Sequence, residues 1–140
     1  MLSPKKTKFK KQFKGLIKGK TSRGNKLIFG TFGLKSMEKS RLSAKQIEAT
    51  RRIITKKMKR LGFLWVRIFP DTPITSKPVE VRMGKGKGAV DFWAAKIKEG
   101  QILFEISGVP SSIAMQALNS GSKKLCVKTK VVSRAYSLIG

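Results

Sequence analysis

Charge is the property that most restricts how this chain can fold. Its 140 residues carry 32 Lys and Arg against 7 Asp and Glu, a formal net charge of +25 with no histidine. Self-repulsion on that scale opposes a compact state unless a polyanion lies close by. Hydrophobic residues nevertheless make up 40% of the chain, enough for a core and against general disorder. The length suits one domain.

The cations are unevenly placed. Residues 1–60 hold 20 basic and 2 acidic side chains, and residues 61–140 hold 12 and 5. Residues 1–26 hold ten basic side chains and no acid. Within them Lys5, Lys6, Lys8, Lys10, Lys11 and Lys14 surround only Phe9 and Phe13 as apolar bulk. Such a segment is expected to be an extended arm that orders on phosphates. A solvated solubility tail is the plainer alternative.

Several functional classes are excluded or weakened. Apolar runs are too short to span a bilayer. A single cysteine, Cys126, precludes an internal disulfide and a cysteine-based metal site, and it suits a reducing compartment. Without histidine there is no imidazole catalysis and no His-ligated zinc. The basic start lacks the apolar run or arginine-rich amphipathic helix of a targeting peptide. No metal and no cofactor is expected.

Local patterns outline an α+β domain. Ser43 and Gln46 fit a capping box, and Ile47, Ile54, Met58 and Leu61 recur at helical spacing before Gly62. Lys45, Arg52, Lys56, Lys59 and Arg60 fall on the opposite side, with Arg51 beside them. We read this face, with Lys45, Arg51, Arg52, Lys56, Lys59 and Arg60, as a phosphate-binding one, a merely solvated face being the plainer alternative. Its narrow apolar stripe, without an aromatic, argues against a membrane-surface helix. Phe63–Phe69 reads as a strand, and Pro70, Pro73 and Pro78 as a rigid connection. Val79–Met83 reads as a second strand. Ala89–Lys98 and Gln101–Ser107 read as a hairpin across Glu99-Gly100, setting Ile97 against Ile102, Ala95 against Phe104 and Trp93 against Ile106. A helix after Pro110 carries Ile113, Ala114, Ala117 and Leu118 on its inner side and ends near Gly121. Leu125–Arg134 closes the domain as a strand, with Cys126 buried or at an edge. The expected architecture is a small mixed or antiparallel sheet covered by two helices, with an extended basic N-terminal arm. The divisions are 1–26 for the arm, 27–134 for a single α+β domain and 135–140 for a short C-terminal tail.

Gly84-Lys85-Gly86-Lys87-Gly88 follows Arg82-Met83. It lacks both the Walker spacing and the dinucleotide fingerprint. Glycines let backbone approach a partner closely while the lysines neutralise phosphate, so Arg82, Met83, Gly84, Lys85, Gly86, Lys87 and Gly88 are candidates for contact with nucleic acid. A flexible hairpin tip is the alternative. The seven acids are scattered, which disfavours acid–base catalysis. Asp71 and Asp91 are the only pair offered for a small metal-dependent RNA-processing enzyme. Phe63, Trp65, Phe69, Phe92 and Trp93 are expected mainly in the core, with base stacking the lesser reading.

Longer motifs carry a resemblance. Met1–Lys10, Phe29-Gly-Thr-Phe-Gly-Leu34, Gln46–Ala49 with Arg51-Arg52, Trp65–Asp71 and Lys77–Gly88 occur in order along nearly the whole chain. They resemble the bacterial-type large-subunit ribosomal protein sixteen family, related to the archaeal and eukaryotic ribosomal protein ten-e. The resemblance implies a non-enzymatic protein bound to large-subunit rRNA near the base of the central protuberance. It also implies neighbouring ribosomal proteins as partners. In that family the basic arm threads into rRNA. The stretch matching Arg82–Gly88 faces the aminoacyl-site tRNA, and by extension the peptidyl-site tRNA, near the peptidyl transferase centre. Positions 15–20 lack the Gly-Arg cluster of many relatives. Lysine outnumbers arginine 24 to 8, as A/T-rich organellar genomes favour. The expected compartment is therefore the mitochondrion, with an organelle-encoded gene, and the plastid stroma or bacterial cytoplasm as alternatives.

Overall fold

The computed structural model describes residues 2–80, 82–84 and 86–134. Among them the element order is β1 (Phe32–Ser36), β2 (Ser40–Ser43), α1 (Ala44–Lys57), β3 (Phe63–Val66), β4 (Thr72–Ser76), β5 (Ala89–Ile97), β6 (Ile102–Ser107), α2 (Ser111–Ser122) and β7 (Thr129–Ser133). The class is α+β, with two helices as expected. The strands, however, divide into two antiparallel sheets, one ordered β3-β6-β1-β7 and one ordered β2-β5-β4.

The expected hairpin is the place where the sheets part. Glu99-Gly100 does turn the chain, the Lys98 carbonyl accepting from the Gln101 N–H at 3.3 Å. Yet β5 pairs with β2 and β4, and β6 pairs with β1 and β3. Ile97 stands opposite Ser40, Trp93 opposite Pro73, and Phe104 opposite both Leu34 and Val66. The apolar alternation is right about burial only in part: Ala95, Ile97, Ile102, Phe104 and Ile106 share one core cluster, but Trp93 is half-buried and the intervening Leu103 and Glu105 are fully buried. It did not report partnership. Strand β6 lies between two strands of the larger sheet and is buried from Ile102 to Ile106.

Two further expectations shift. The proline-rich connection contains β4, where Pro73 is accommodated because β4 is an edge strand and an edge tolerates a missing donor. Val79 and Glu80 form a turn instead of a strand. Val81 lies outside the described residues, as do Lys85 and the tail 135–140. Strand β1, central in the larger sheet, has no counterpart in the sequence reading. Its five residues include a glycine and are too few to display a period.

Helix α1 begins as expected. Ser43 Oγ accepts from the Gln46 N–H at 3.2 Å, and Gln46 Oε1 accepts from the Ser43 N–H at 3.0 Å. Ile47, Ile54 and Met58 are buried, but Leu61 is exposed. The helix stops at Met58, before Gly62, and Lys59 and Arg60 adopt left-handed φ values of 55° and 62°. That reversal swings Leu61 off the stripe. Helix α2 packs on α1 at Gly121, where an added Cβ would stand 2.7 Å from Ile54 Cγ1 and 3.1 Å from Thr50 Cγ2. Cys126 is exposed, before β7 begins at Thr129, although Leu125 and Val127 on either side of it are buried.

Candidate nucleic-acid interface

Three cationic regions come from different parts of the chain. The first is the C-terminal end of α1. Arg51, Arg52, Thr55, Lys56, Lys59 and Arg60 line one open groove. Glu48 is the nearby counter-charge: Arg51 bonds it through Nε at 3.0 Å and Nη2 at 2.5 Å, and Arg52 Nε approaches at 3.3 Å. The hydrogen bond from Arg51 holds the Glu48 carboxyl down, at about 2 instead of 4.5, and Glu48 in turn raises the Arg51 guanidinium. Lys45 does not belong to this cluster. It sits in the first turn of α1, about three turns away at ~1.5 Å per residue, beside a groove formed with Leu2, Ser3, Asp91, Phe92 and Trp93.

The second region is residues 2–26. Among the described residues it contains no helix or strand, only an isolated parallel bridge between Lys20 and Glu99. Lys5, Lys6, Lys8, Lys10, Lys11 and Lys14 are exposed. Lys6 and Lys8 border the groove beside Arg67, Phe69, Asp71 and Lys96. Lys8 stands 5.6 Å from the centre of the Phe9 ring.

The third region is the glycine loop. Arg82, Met83, Gly84, Gly86 and Lys87 are exposed and Gly88 is half-buried. Gly84 and Gly86 take φ of +95° and +92° with open space where a Cβ would point, so glycine is there for backbone conformation and not for packing. The loop and the segment from residue 2 to 26 meet. Lys11 Nζ donates to the Lys87 carbonyl at 3.0 Å, Lys87 Nζ donates to the Gln12 carbonyl, and Lys87 lies 5.7 Å from the centre of the Phe13 ring. Lys77 Nζ donates to the Gly84 carbonyl.

The sequence reading missed a set of arginines that act as fasteners. Arg41 Nη2 donates to the Lys14 carbonyl at 3.1 Å and the Gly15 carbonyl at 2.5 Å. Arg67 Nη1 donates to the Lys26 carbonyl and Arg134 Nη2 to the Ile28 carbonyl, each at 2.9 Å. A planar guanidinium suits such fixed multi-donor contacts better than a flexible ammonium. No sequence signal singled these three out from the other arginines, because each partner carbonyl lies 26 or more residues away.

Carboxylate chemistry does not assemble. Thr72 pairs with Ala94, which places Asp71 just beyond that end of β4, whereas Asp91 lies at the bulge facing Ile74 and Thr75. Three residues of strand, ~10 Å, separate them. Asp71 accepts from the Thr72 hydroxyl at 3.3 Å. Among the described residues no group of three or more Asp, Glu or Cys is placed to hold a metal, and no helix is long and apolar enough to cross a membrane. The aromatic expectation also changes. Phe63, Phe69 and Phe92 are exposed and Trp65 and Trp93 half-buried, so none of the five is a core residue.

What fold and surface define together is a small α+β protein that presents cations on fixed backbone, with no assembled reactive centre among the described residues. The family described as ribosomal protein L16p/L10e matches residues 4–132, and the chain belongs to that family. It is similar to the large ribosomal subunit protein uL16 of Caulobacter vibrioides, 61% identical over 134 residues covering 96% of this chain and 94% of that protein. The uL16 of Hyphomonas neptunium is 61% identical, with 96% and 97% covered. That of Mesorhizobium japonicum is 60% identical, with 96% and 98% covered. The family is structural and not enzymatic, which removes the RNA-processing alternative. These relatives are bacterial. They favour the bacterial alternative for the compartment and lend no support to the mitochondrial expectation.

Proposed function

We propose that the protein is a structural component of the large ribosomal subunit that binds its rRNA and borders the aminoacyl-tRNA site. The observation that carries this reading is the end of α1, where Arg52, Lys56, Lys59 and Arg60 are exposed around one groove and Glu48 is already engaged by Arg51 and Arg52. A surface of that kind neutralises phosphates without needing a reaction. Lys5, Lys6, Lys8, Lys10, Lys11 and Lys14 extend it along the arm, and Lys45 adds a separate contact.

Arg82–Gly88 is the part directed at tRNA, with Arg82 and Lys87 as its described cations. Contact between Lys87 and the Lys11–Phe13 stretch supports the arm and the loop acting as one surface. The partners are large-subunit rRNA, aminoacyl-site tRNA and neighbouring ribosomal proteins.

The test is binding of the full chain to a large-subunit rRNA fragment across a salt series. With about ten phosphate contacts, log K falls against log salt with a slope of roughly −7 to −9. A nearly flat response overturns the reading. Sucrose-gradient sedimentation of a native lysate is the second arm: the protein is expected with the large subunit, and free protein near the top refutes it. Fractionating the source cell decides between the bacterial cytoplasm and the organellar ribosome favoured by the lysine excess.

A further inference from the structure

An exposed aromatic ladder lies on the outer face of the larger sheet, and rRNA phosphate contacts do not account for it. Strand alternation turns Leu64 and Val66 toward the core cluster, so Phe63 and Trp65 face the other way. Their rings stand 6.0 Å apart between centres. Phe29 joins from outside the sheet, stacked on Trp65 at 5.9 Å with 21° between planes. Phe63 is 68% and Phe29 55% exposed. Contiguous apolar exposure of this kind marks an interaction site more often than idle surface.

The ladder is built on a buried anchor. Glu105, paired with Trp65 across the sheet, is fully buried. Its Oε1 accepts from the backbone N–H groups of Ile28, Phe29 and Gly30 at 2.8, 3.2 and 3.3 Å. Arg67 Nη1 stands 3.4 Å from Glu105 Oε2 and its guanidinium carbon 5.8 Å from the centre of the Phe29 ring. A buried carboxylate thus fixes the backbone of a residue whose ring is left in solvent. Folding alone gives no reason to present an aromatic so rigidly and leave it uncovered.

We propose that Phe63, Trp65 and Phe29 form a stacking platform for unpaired RNA bases. This rests on the RNA-binding reading and adds the ligand class to one face of it. Cationic surroundings favour a nucleic acid over an apolar protein segment: the exposed Lys59 and Arg60 stand a few residues before β3, whereas Arg67 after it is already engaged by Glu105. Base–aromatic stacking is sequence-tolerant, because every base presents a π face to the ring.

The experiment uses the full chain carrying Trp93→Phe, which leaves Trp65 as the single indole. A single-stranded oligoadenylate is titrated against emission, with inorganic polyphosphate as a baseless polyanion. Oligoadenylate is expected to quench Trp65, and polyphosphate to bind without quenching. Phe63→Ala is expected to weaken oligoadenylate about tenfold and polyphosphate less than twofold, while Phe63→Tyr restores binding. Circular dichroism confirms that each variant is folded. Salt-dependent oligonucleotide binding with unmoved emission overturns the platform, leaves the RNA reading intact and assigns the patch to a protein neighbour. Equal weakening of both polyanions by Phe63→Ala also overturns it. Failure of oligoadenylate to bind at low salt overturns both readings.

Discussion

Two irregular segments of this protein are fixed by opposite means. Residues 26–30 strap the outer face of the larger sheet and are held by a buried charge: Glu105 takes three backbone N–H groups, while Arg67 and Arg134 take the carbonyls of Lys26 and Ile28. The glycine loop is held by lysines donating to carbonyls at the surface, Lys11 to Lys87, Lys87 to Gln12 and the half-buried Lys77 to Gly84. Buried hydrogen bonds to a charge are costly to lose because nothing replaces them. Exposed ones compete with water and contribute little. The difference separates a segment that belongs to the fold from one that is available to a partner.

The strongest way to break that distinction is Glu105→Ala. It strands three backbone donors and a largely buried guanidinium, and breaking such a pair costs about 3–5 kcal/mol. Against a total stability of about 5–15 kcal/mol, urea unfolding should show a large fall in midpoint. Lys87→Ala, its counterpart in the loop, should stay within about 0.5 kcal/mol of the parent. Equal losses would mean that the loop is structural after all.

Next in size is the cationic end of α1. Replacing Arg52, Lys56, Lys59 and Arg60 together by Gln should lower the salt slope of rRNA binding by about three and leave the unfolding midpoint nearly unmoved. An unchanged slope would place the phosphates elsewhere.

How far the sequence disclosed these regions follows from the range of each interaction. The α1 capping box spans four residues and its stripe three turns, so both were legible, as was the basic run at the start. The division into two sheets was not, because Ile97 and Ile102 alternate in the same way whether they face each other or separate partners. Glu105 reads as one more strand acid until Ile28–Gly30, some 75 residues earlier, fold over it. The aromatics were misplaced for a related reason: Phe63 and Trp65 follow a strand period, and a period says which residues share a face without saying which face is covered. The loop's glycines were legible as a loop because their spacing alone marks it, whereas its contacts with Lys11 and Gln12, some 75 residues earlier, were not.

Lys59 and Arg60 sharpen the distinction at about 1 kcal/mol. Left-handed φ in a residue with a Cβ costs on the order of 1–2 kcal/mol, part of which Gly recovers before its own entropy cost. Arg60→Gly should therefore stabilise the fold slightly, by up to about 1 kcal/mol in thermal unfolding, while weakening rRNA binding. Opposite signs in the two assays would identify a strained position kept for its cation. A variant that is less stable would show that Arg60 contributes to packing.

The smallest effect is pH-dependent and concerns Glu48. Its carboxyl is lowered from 4.5 to about 2, first by the hydrogen bond from Arg51. A depressed acid stabilises the folded state fully above its unfolded value and loses that contribution as pH falls toward the folded one. The gap in stability between the parent and Glu48→Gln should thus be widest above about pH 4.5 and close as pH approaches 2. Its size should stay under about 1 kcal/mol, because the Glu48 side chain is 20% and the Arg51 side chain 41% exposed and the charges are screened by solvent. Added salt should shrink the gap further. A gap that persists at pH 2 would mean that Glu48 acts through packing along α1 and not through charge, and would put the end of that helix with the strap, as part of the fold.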